Sequence, residues 1–261
     1  MSRTEDLQRI AEGLEAAREA VLPFTPGSVD WEDKGGGDPV TEADRAIDDV
    51  LKAILPRAGE GWLSEETVDD RSRLDAYRVW VVDPLDGTRE FVQGIPEWCI
   101  SVGLVEGGKP VAGGVLNPAT NELVLGSLET GVTLSGGPAE VTARDGLGGA
   151  VVLASRSEIK RGEWDMFGDA PFQVRACGSV AYKMAAVAAG LADATWTLVP
   201  KNEWDVAAGV ALVHAAGGQV CHADGSTRVF NSPDPLMPNL LAANSSIIAE
   251  FRRDWIPTGV L

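Results

Sequence analysis

Apolar residues return at intervals of three and four near the start of the chain, at Leu7, Ile10, Leu14, Ala17 and Val21. That spacing draws one stripe along an α-helix, which Pro23 stops. A second stripe, Ala43, Ile47, Val50, Leu51 and Ile54, predicts a helix over residues 42–55, with Thr41 or Asp38 near its start. The intervening loop, residues 24–39, contains Gly35-Gly36-Gly37, a run that predicts mobility, and Lys34, which can reach toward an anion.

From Arg78 the pattern changes to extended runs at residues 79–82, 99–105, 111–116, 122–125 and 132–134, several of them separated by short glycine-bearing turns. This predicts an antiparallel meander. Beyond Gly148, short strands at 151–154, 172–176 and 194–197 alternate with helices near 179–191 and 204–216. The expectation is an α/β protein whose first half is α+β, divided into 1–147 and 148–261, with no internal repeat.

With 44% of its 261 residues hydrophobic, the chain can bury a substantial core. Its formal charge of -17 repels nucleic acid and anionic lipid, so neither is expected as a partner. A small phosphorylated metabolite remains compatible, because carboxylates can hold cations that invert the local field. Cys99, Cys177 and Cys221 are widely spaced and read as reduced core thiols. Residues 1–21 carry charges throughout, matching neither a signal peptide nor a membrane span, so the expected location is cytoplasmic.

The most informative stretch is Asp83-Pro84-Leu85-Asp86-Gly87-Thr88, directly after an apolar run. Two aspartates at a strand's end, split by a proline expected to end the ladder, can aim both carboxylates and the Leu85 carbonyl at one point. Such an all-oxygen set favours magnesium over zinc. Gly87 lets the backbone approach an anion, with its amide and that of Thr88 as donors if a helix begins there. The same residues also fit an Asx-type turn. Ser64-Glu65-Glu66 is either a solvated turn or a pair of acids compensated by a cation, and Asp205, opening an apolar helix, is either a ligand or a helix cap. His214 and His222 read as ordinary structural residues.

Four blocks nevertheless stand in a characteristic order: Gly37-Asp38-Pro39-Val40-Thr41-Glu42-Ala43-Asp44, Ser64-Glu65-Glu66, residues 83–88, and Trp204-Asp205-Val206-Ala207-Ala208-Gly209. In these the chain resembles the inositol monophosphatase superfamily of metal-dependent, lithium-sensitive phosphatases, over nearly its whole length. The resemblance implies a layered αβαβα sandwich, a homodimer and two or three magnesium ions. It makes Glu65, Asp83 and the Leu85 carbonyl ligands of one ion, and Asp83, Asp86 and Asp205 ligands of another, with Glu65 also serving a third. It assigns Asp44 and Thr88 to holding the attacking water, and the phosphate to the Gly87 and Thr88 amides and the metals. Taken alone, Thr41 and Asp44 fit helix capping just as well.

Substrate is less constrained. Inositol-specific relatives usually have a glutamate seven residues before the last aspartate, where this chain reads Thr195-Trp196-Thr197-Leu198-Val199. Ser64-Glu65-Glu66 and Asp83 to Phe91 instead look like the 3'(2'),5'-bisphosphate nucleotidase branch, to whose next block Ser179 and Lys183 can be matched with the spacing one residue off. Ser179, Lys183 and Asp205 are therefore expected to contact substrate, and Lys183 and Lys201 to receive a second phosphate. Inositol monophosphatase and broad-specificity sugar or histidinol phosphate phosphatase are the alternatives, with a non-catalytic metal-binding protein more remote.

Overall fold

The computed structural model describes residues 2–33 and 39–255. Lys34, the glycine run and Asp38 lie outside those residues. The first helix, α1 (Arg3–Val21), opens on a capping box between Ser2 and Glu5 and buries Ile10, Leu14, Ala17 and Val21, as the stripe predicts. A two-residue ladder, β1 (Glu32–Asp33) with β2 (Pro39–Val40), leads into α2 (Glu42–Ile54). Gly13 lets the two helices meet closely, since a Cβ there would stand 3.2 Å from Leu55 and 3.3 Å from Leu51.

The meander is a seven-stranded sheet. It comprises β3 (Gly61–Ser64), β4 (Arg78–Asp86), β5 (Cys99–Glu106), β6 (Lys109–Asn117), β7 (Glu122–Ser127), β8 (Gly131–Leu134) and β9 (Gly137–Ala139), with α3 (Thr88–Val92) between β4 and β5. All neighbours are antiparallel except β3 and β4. One finding departs from expectation at Pro84. The proline does not end the ladder: Asp83 pairs with Ser101 and Asp86 with Cys99, so β4 has one extra residue in a bulge and then resumes pairing. A proline, lacking an N–H, is tolerated where the ladder is already interrupted.

A second, five-stranded sheet has the order β11-β10-β12-β16-β14. Its strands are β10 (Val151–Ser155), β11 (Gln173–Cys177), β12 (Ala194–Trp196), β14 (Gln219–Cys221) and β16 (Leu241–Ala243). Interleaved with them are α4 (Arg156–Lys160), α5 (Val180–Ala188), α6 (Glu203–Ala215), α7 (Ser245–Asp254) and the small ladder of β13 (Lys201–Asn202) with β15 (Leu236–Met237). The helix α5 stops short of the expected 191, capped at Ala189 before Gly190 at φ 69°.

Three cores define five layers. The helices α1 and α2 pack on one face of the large sheet through Ile47, Leu51, Trp80, Val82 and Ile100. The other face meets α5 and α6, which also rest on the second sheet, through Val81, Met184, Ala207, Leu212 and Ala242. Beyond that sheet, α7 and an aromatic cluster of Trp164, Phe167, Trp196 and Phe251 close the stack. This is the αβαβα sandwich. No helix among the described residues is long and apolar enough to cross a membrane.

Two contacts fix α6 against the large sheet. A Cβ on Gly103 would lie 2.8 Å from the Ala208 nitrogen, and one on Gly113 would lie 2.7 Å from the Ala208 oxygen. Only glycine permits that approach, and it sets the position of everything at the start of α6. On the face that carries α1, Arg9 and Arg78 hold Glu60 at 2.5 and 2.9 Å, and Arg78 also grips Asp6 at 2.5 Å. The charge-rich start of α1 gave no sign of this partly buried network, because its partners lie far apart in sequence.

Candidate metal centre

Two aspartates, one buried behind Thr88 and one lining the cleft, share one device. Thr41 caps α2 and Asp44 sits at its third position, accepting the Thr41 amide at 2.8 Å and the Thr41 hydroxyl at 2.6 Å on Oδ2. Asp205 occupies the matching position of α6 and accepts the Asn202 amide on Oδ2 at 2.8 Å. Capping and site chemistry therefore coexist: Oδ2 anchors the helix end in each, which leaves a second oxygen for the site. On Asp44 that second oxygen, Oδ1, accepts the Thr88 hydroxyl at 3.0 Å.

The bulge in β4 supplies the next two acids. Asp83 is buried, with Oδ1 accepting the Leu85 amide at 3.1 Å. Asp86 accepts Ser179 Oγ at 2.7 Å and the Ala181 amide at 2.6 Å, both on Oδ2. The Leu85 carbonyl accepts the Thr88 hydroxyl at 2.9 Å and retains a second lone pair. Gly87 adopts φ 96°, a turn that L side chains resist, and carries the chain from the bulge into α3.

Glu65 stands at the end of β3, its amide bonded to the Val82 carbonyl at 3.3 Å. The turn that carries it is held from α2: Asp48 accepts Ser64 Oγ at 2.5 Å and Thr67 Oγ1 at 2.6 Å. Asp48 escaped the sequence reading, although its place one helical turn after Asp44 puts both on one face of α2.

Glu65, Asp83 and Asp205 offer oxygens within 4.8 Å of one another. Burial pushes the Asp83 carboxyl well above the ordinary carboxylate range, and Glu65, Asp86, Asp205 and Asp44 push it further. Burial, followed by Asp86 and Glu65, raises Asp205 to about 8. Carboxylates so crowded resist ionising together unless a cation joins them. The all-oxygen donor set, part carboxylate and part carbonyl, fits a hard divalent ion and not a thiophilic one. Neither histidine belongs: His214 Nε2 faces the Val220 amide at 3.3 Å, and His222 Nδ1 the Asn239 carbonyl at 2.7 Å.

Glu65, Asp83, Asp86 and Asp205 line a cavity of about 300 Å³. Lys183 and Lys201 line it too, as do Ser157, Asn202 and Trp204. Lys183 is 2% exposed, and its Nζ has one long contact, 3.5 Å to the Cys177 carbonyl. Burial lowers its pKa, while Cys177 and then Asp86 work in the opposite direction. Ser179 also lines the cavity, but its hydroxyl is committed to Asp86 and to the Tyr182 amide at 3.0 Å. Its direct effect is to orient Asp86. Glu90, also at the cavity, was not singled out from sequence; burial raises its carboxyl pKa. It packs so tightly that a Cβ on Gly178 would come within 2.5 Å of it.

The inositol monophosphatase family profile matches residues 5–255. An inositol-1-monophosphatase of Mesorhizobium japonicum is 36% identical over 208 residues, covering 76% of this chain and 77% of that protein. The structure of an inositol monophosphatase from Thermotoga maritima superimposes with a TM-score of 0.83 at 27% identity, covering all of both chains. That of CysQ from Bacteroides thetaiotaomicron gives 0.76 at 28% identity, covering 92% of this chain and 97% of that one. The chain belongs to the inositol monophosphatase family, whose members are phosphoric monoester hydrolases.

Proposed function

We propose that the protein is a magnesium-dependent phosphomonoesterase whose substrate carries a second anionic group, with 3'-phosphoadenosine 5'-phosphate as the first candidate. The observation that carries this reading is the buried Lys183 ammonium at a cavity that Lys201 and the carboxylates also line. A buried cation with one long contact is costly unless an anion meets it. The stretch 195–199 supplies no acid to grip a polyol: Thr195 Oγ1 is spent on the Leu153 carbonyl at 2.8 Å, and Thr197 Oγ1 on the Leu240 amide at 3.0 Å. A relative in solved form, CysQ, has the same fold.

In this reading Glu65, Asp83, Asp86, Asp205 and the Leu85 carbonyl hold the ions. Bound magnesium supplies Lewis-acid activation of water and neutralises charge at the phosphoryl group. The chain does the rest by positioning. Thr88 directs its single hydroxyl proton to Asp44 or the Leu85 carbonyl, leaving its lone pairs to hold the attacking water. Thr41 and the α2 cap fix the Asp44 carboxylate beside that hydroxyl. The Gly87 and Thr88 amides, at the turn into α3, face the charge that grows on the phosphoryl oxygens. Water adds to phosphorus, the ester P–O bond breaks, and the alcohol and inorganic phosphate depart.

A second reading, inositol 1-phosphate as substrate, is favoured by the names of relatives such as the Mesorhizobium protein. Phosphate release from 3'-phosphoadenosine 5'-phosphate, inositol 1-phosphate and histidinol phosphate, with magnesium and with excess EDTA, separates them. The expected result is the highest kcat/KM on the nucleotide and none with EDTA. A higher kcat/KM on inositol 1-phosphate reverses the order of the two readings, and turnover undiminished by EDTA removes both.

A further inference from the structure

Beside the reaction cleft lies a second cavity of about 400 Å³, which shares Pro39, Arg89, Glu90 and Ser157 with it. Its walls include Trp31, Lys160 and Arg161. Trp31 is 52% exposed. It immediately precedes the β1–β2 ladder, in which Asp33 pairs with Pro39, so strand alternation puts Trp31 on the face of Pro39. The segment then runs directly into the Thr41 cap of α2, so the wall with the indole is tied to the element that positions Asp44.

Cations outnumber acids among the residues that line this cavity. Four cations, Arg89, Arg156, Lys160 and Arg161, line it against one acid, Glu90, on a chain with a formal charge of -17. Arg156 is neutralised by Glu97 and Arg161 by Glu163 at 2.6 Å, whereas Lys160 is exposed at the rim. A flat, half-exposed indole flanked by guanidinium and ammonium donors suits an aromatic heterocycle: the ring stacks, and its nitrogens or carbonyls accept hydrogen bonds.

Size points the same way. Small-molecule sites occupy roughly 300–1,000 Å³. At about 300 Å³ the reaction cleft has room for a phosphorylated sugar and little more, and the neighbouring cavity, with which it shares wall residues, offers space for a larger substituent. We infer that the cavity walled by Trp31, Arg89 and Lys160 is a nucleobase subsite, continuous with the phosphate-cleaving cleft. This rests on the nucleotide reading of the substrate and adds the residues that recognise its base.

The test compares Trp31→Ala and Trp31→Phe, each with magnesium, on 3'-phosphoadenosine 5'-phosphate and inositol 1-phosphate. The expected result is that the kcat/KM ratio, nucleotide over inositol phosphate, falls about tenfold in Trp31→Ala and recovers in Trp31→Phe. Lys160→Ala is expected to lower the same ratio by a smaller factor. Efficient nucleotide hydrolysis with an unchanged ratio in Trp31→Ala overturns the subsite while leaving the nucleotidase reading intact. If the nucleotide is not hydrolysed at all, that reading fails and binding decides the subsite. Quenching of intrinsic fluorescence by adenosine 5'-phosphate, present in wild type and lost in Trp31→Phe, then sustains a base site, and no quenching in wild type overturns it.

Discussion

Replacing Gly113 with alanine adds a single methyl group where the sheet and α6 are in backbone contact. The new Cβ would lie 2.7 Å from the Ala208 oxygen and 2.9 Å from its Cα. Neither atom belongs to a flexible side chain, so the strand and the helix must separate by several tenths of an ångström to reach ordinary van der Waals distance. Overpacking of this kind costs about 1–3 kcal/mol. The loss of unfolded-state freedom on replacing glycine returns about 0.4–1 kcal/mol, so a net destabilisation of about 1–2 kcal/mol is expected. The functional effect is expected to be larger than the stability effect. Asp205 stands on the first turn of α6, and misplacing a site group by about 1 Å can cost on the order of 100-fold in rate. Urea unfolding gives the first quantity and kcat, at saturating magnesium and substrate, the second. A Gly113→Ala protein with kcat within twofold of wild type and stability changed by less than about 0.5 kcal/mol would refute the claim that this contact sets the site.

Other expectations follow from the same contacts. Asp44→Asn, in which the carboxamide can still reach the Thr41 cap, should fold normally and lose about 100-fold or more in kcat, since the charged acceptor for Thr88 is gone; steady-state kinetics and circular dichroism check this together. Lys183→Met removes a buried ammonium of similar shape, so stability should hold or rise in urea unfolding while KM for the nucleotide rises more than KM for inositol 1-phosphate. Burial alone would raise the Glu60 carboxyl, but hydrogen bonds from Arg9, Trp80, the Arg57 amide and Arg78 outweigh it and hold the pKa at about 2. An acid depressed in the folded state stabilises above its unfolded pKa of about 4.3 and loses that contribution as pH falls toward 2. Unfolding free energies measured from pH 5 downward should therefore fall, and Glu60→Gln should flatten the slope.

Much of this architecture is legible without coordinates, for identifiable reasons. The stripes at Ile10, Leu14 and Ala17 and at Ala43, Ile47 and Leu51 fix both early helices because each has one apolar face and one wet face. The strands Gln219–Cys221 and Leu241–Ala243 are not legible because three residues are too few to show a period. The α7 helix was missed as well. Among the site residues, Asp83, Asp86, Glu65 and Asp205 stand out as acids beside apolar runs. The roles of Asp48, Glu90 and Ser179 depend on partners remote in sequence, and local pattern does not report those. Pro84 misled for a different reason: its missing N–H is compatible with a strand end and with a bulge, and only the pairing of Asp86 with Cys99 distinguishes them.

Thermal unfolding with and without magnesium measures most directly whether the clustered carboxylates are a cation site. Magnesium at 100 times its Kd should stabilise the wild-type protein by about 2.7 kcal/mol, read as a rise in Tm. Asp83→Asn should abolish that rise and, without metal, unfold no lower than wild type, because it removes one of several crowded like charges. An equal magnesium response in wild type and Asp83→Asn, or none in wild type, contradicts the metal centre.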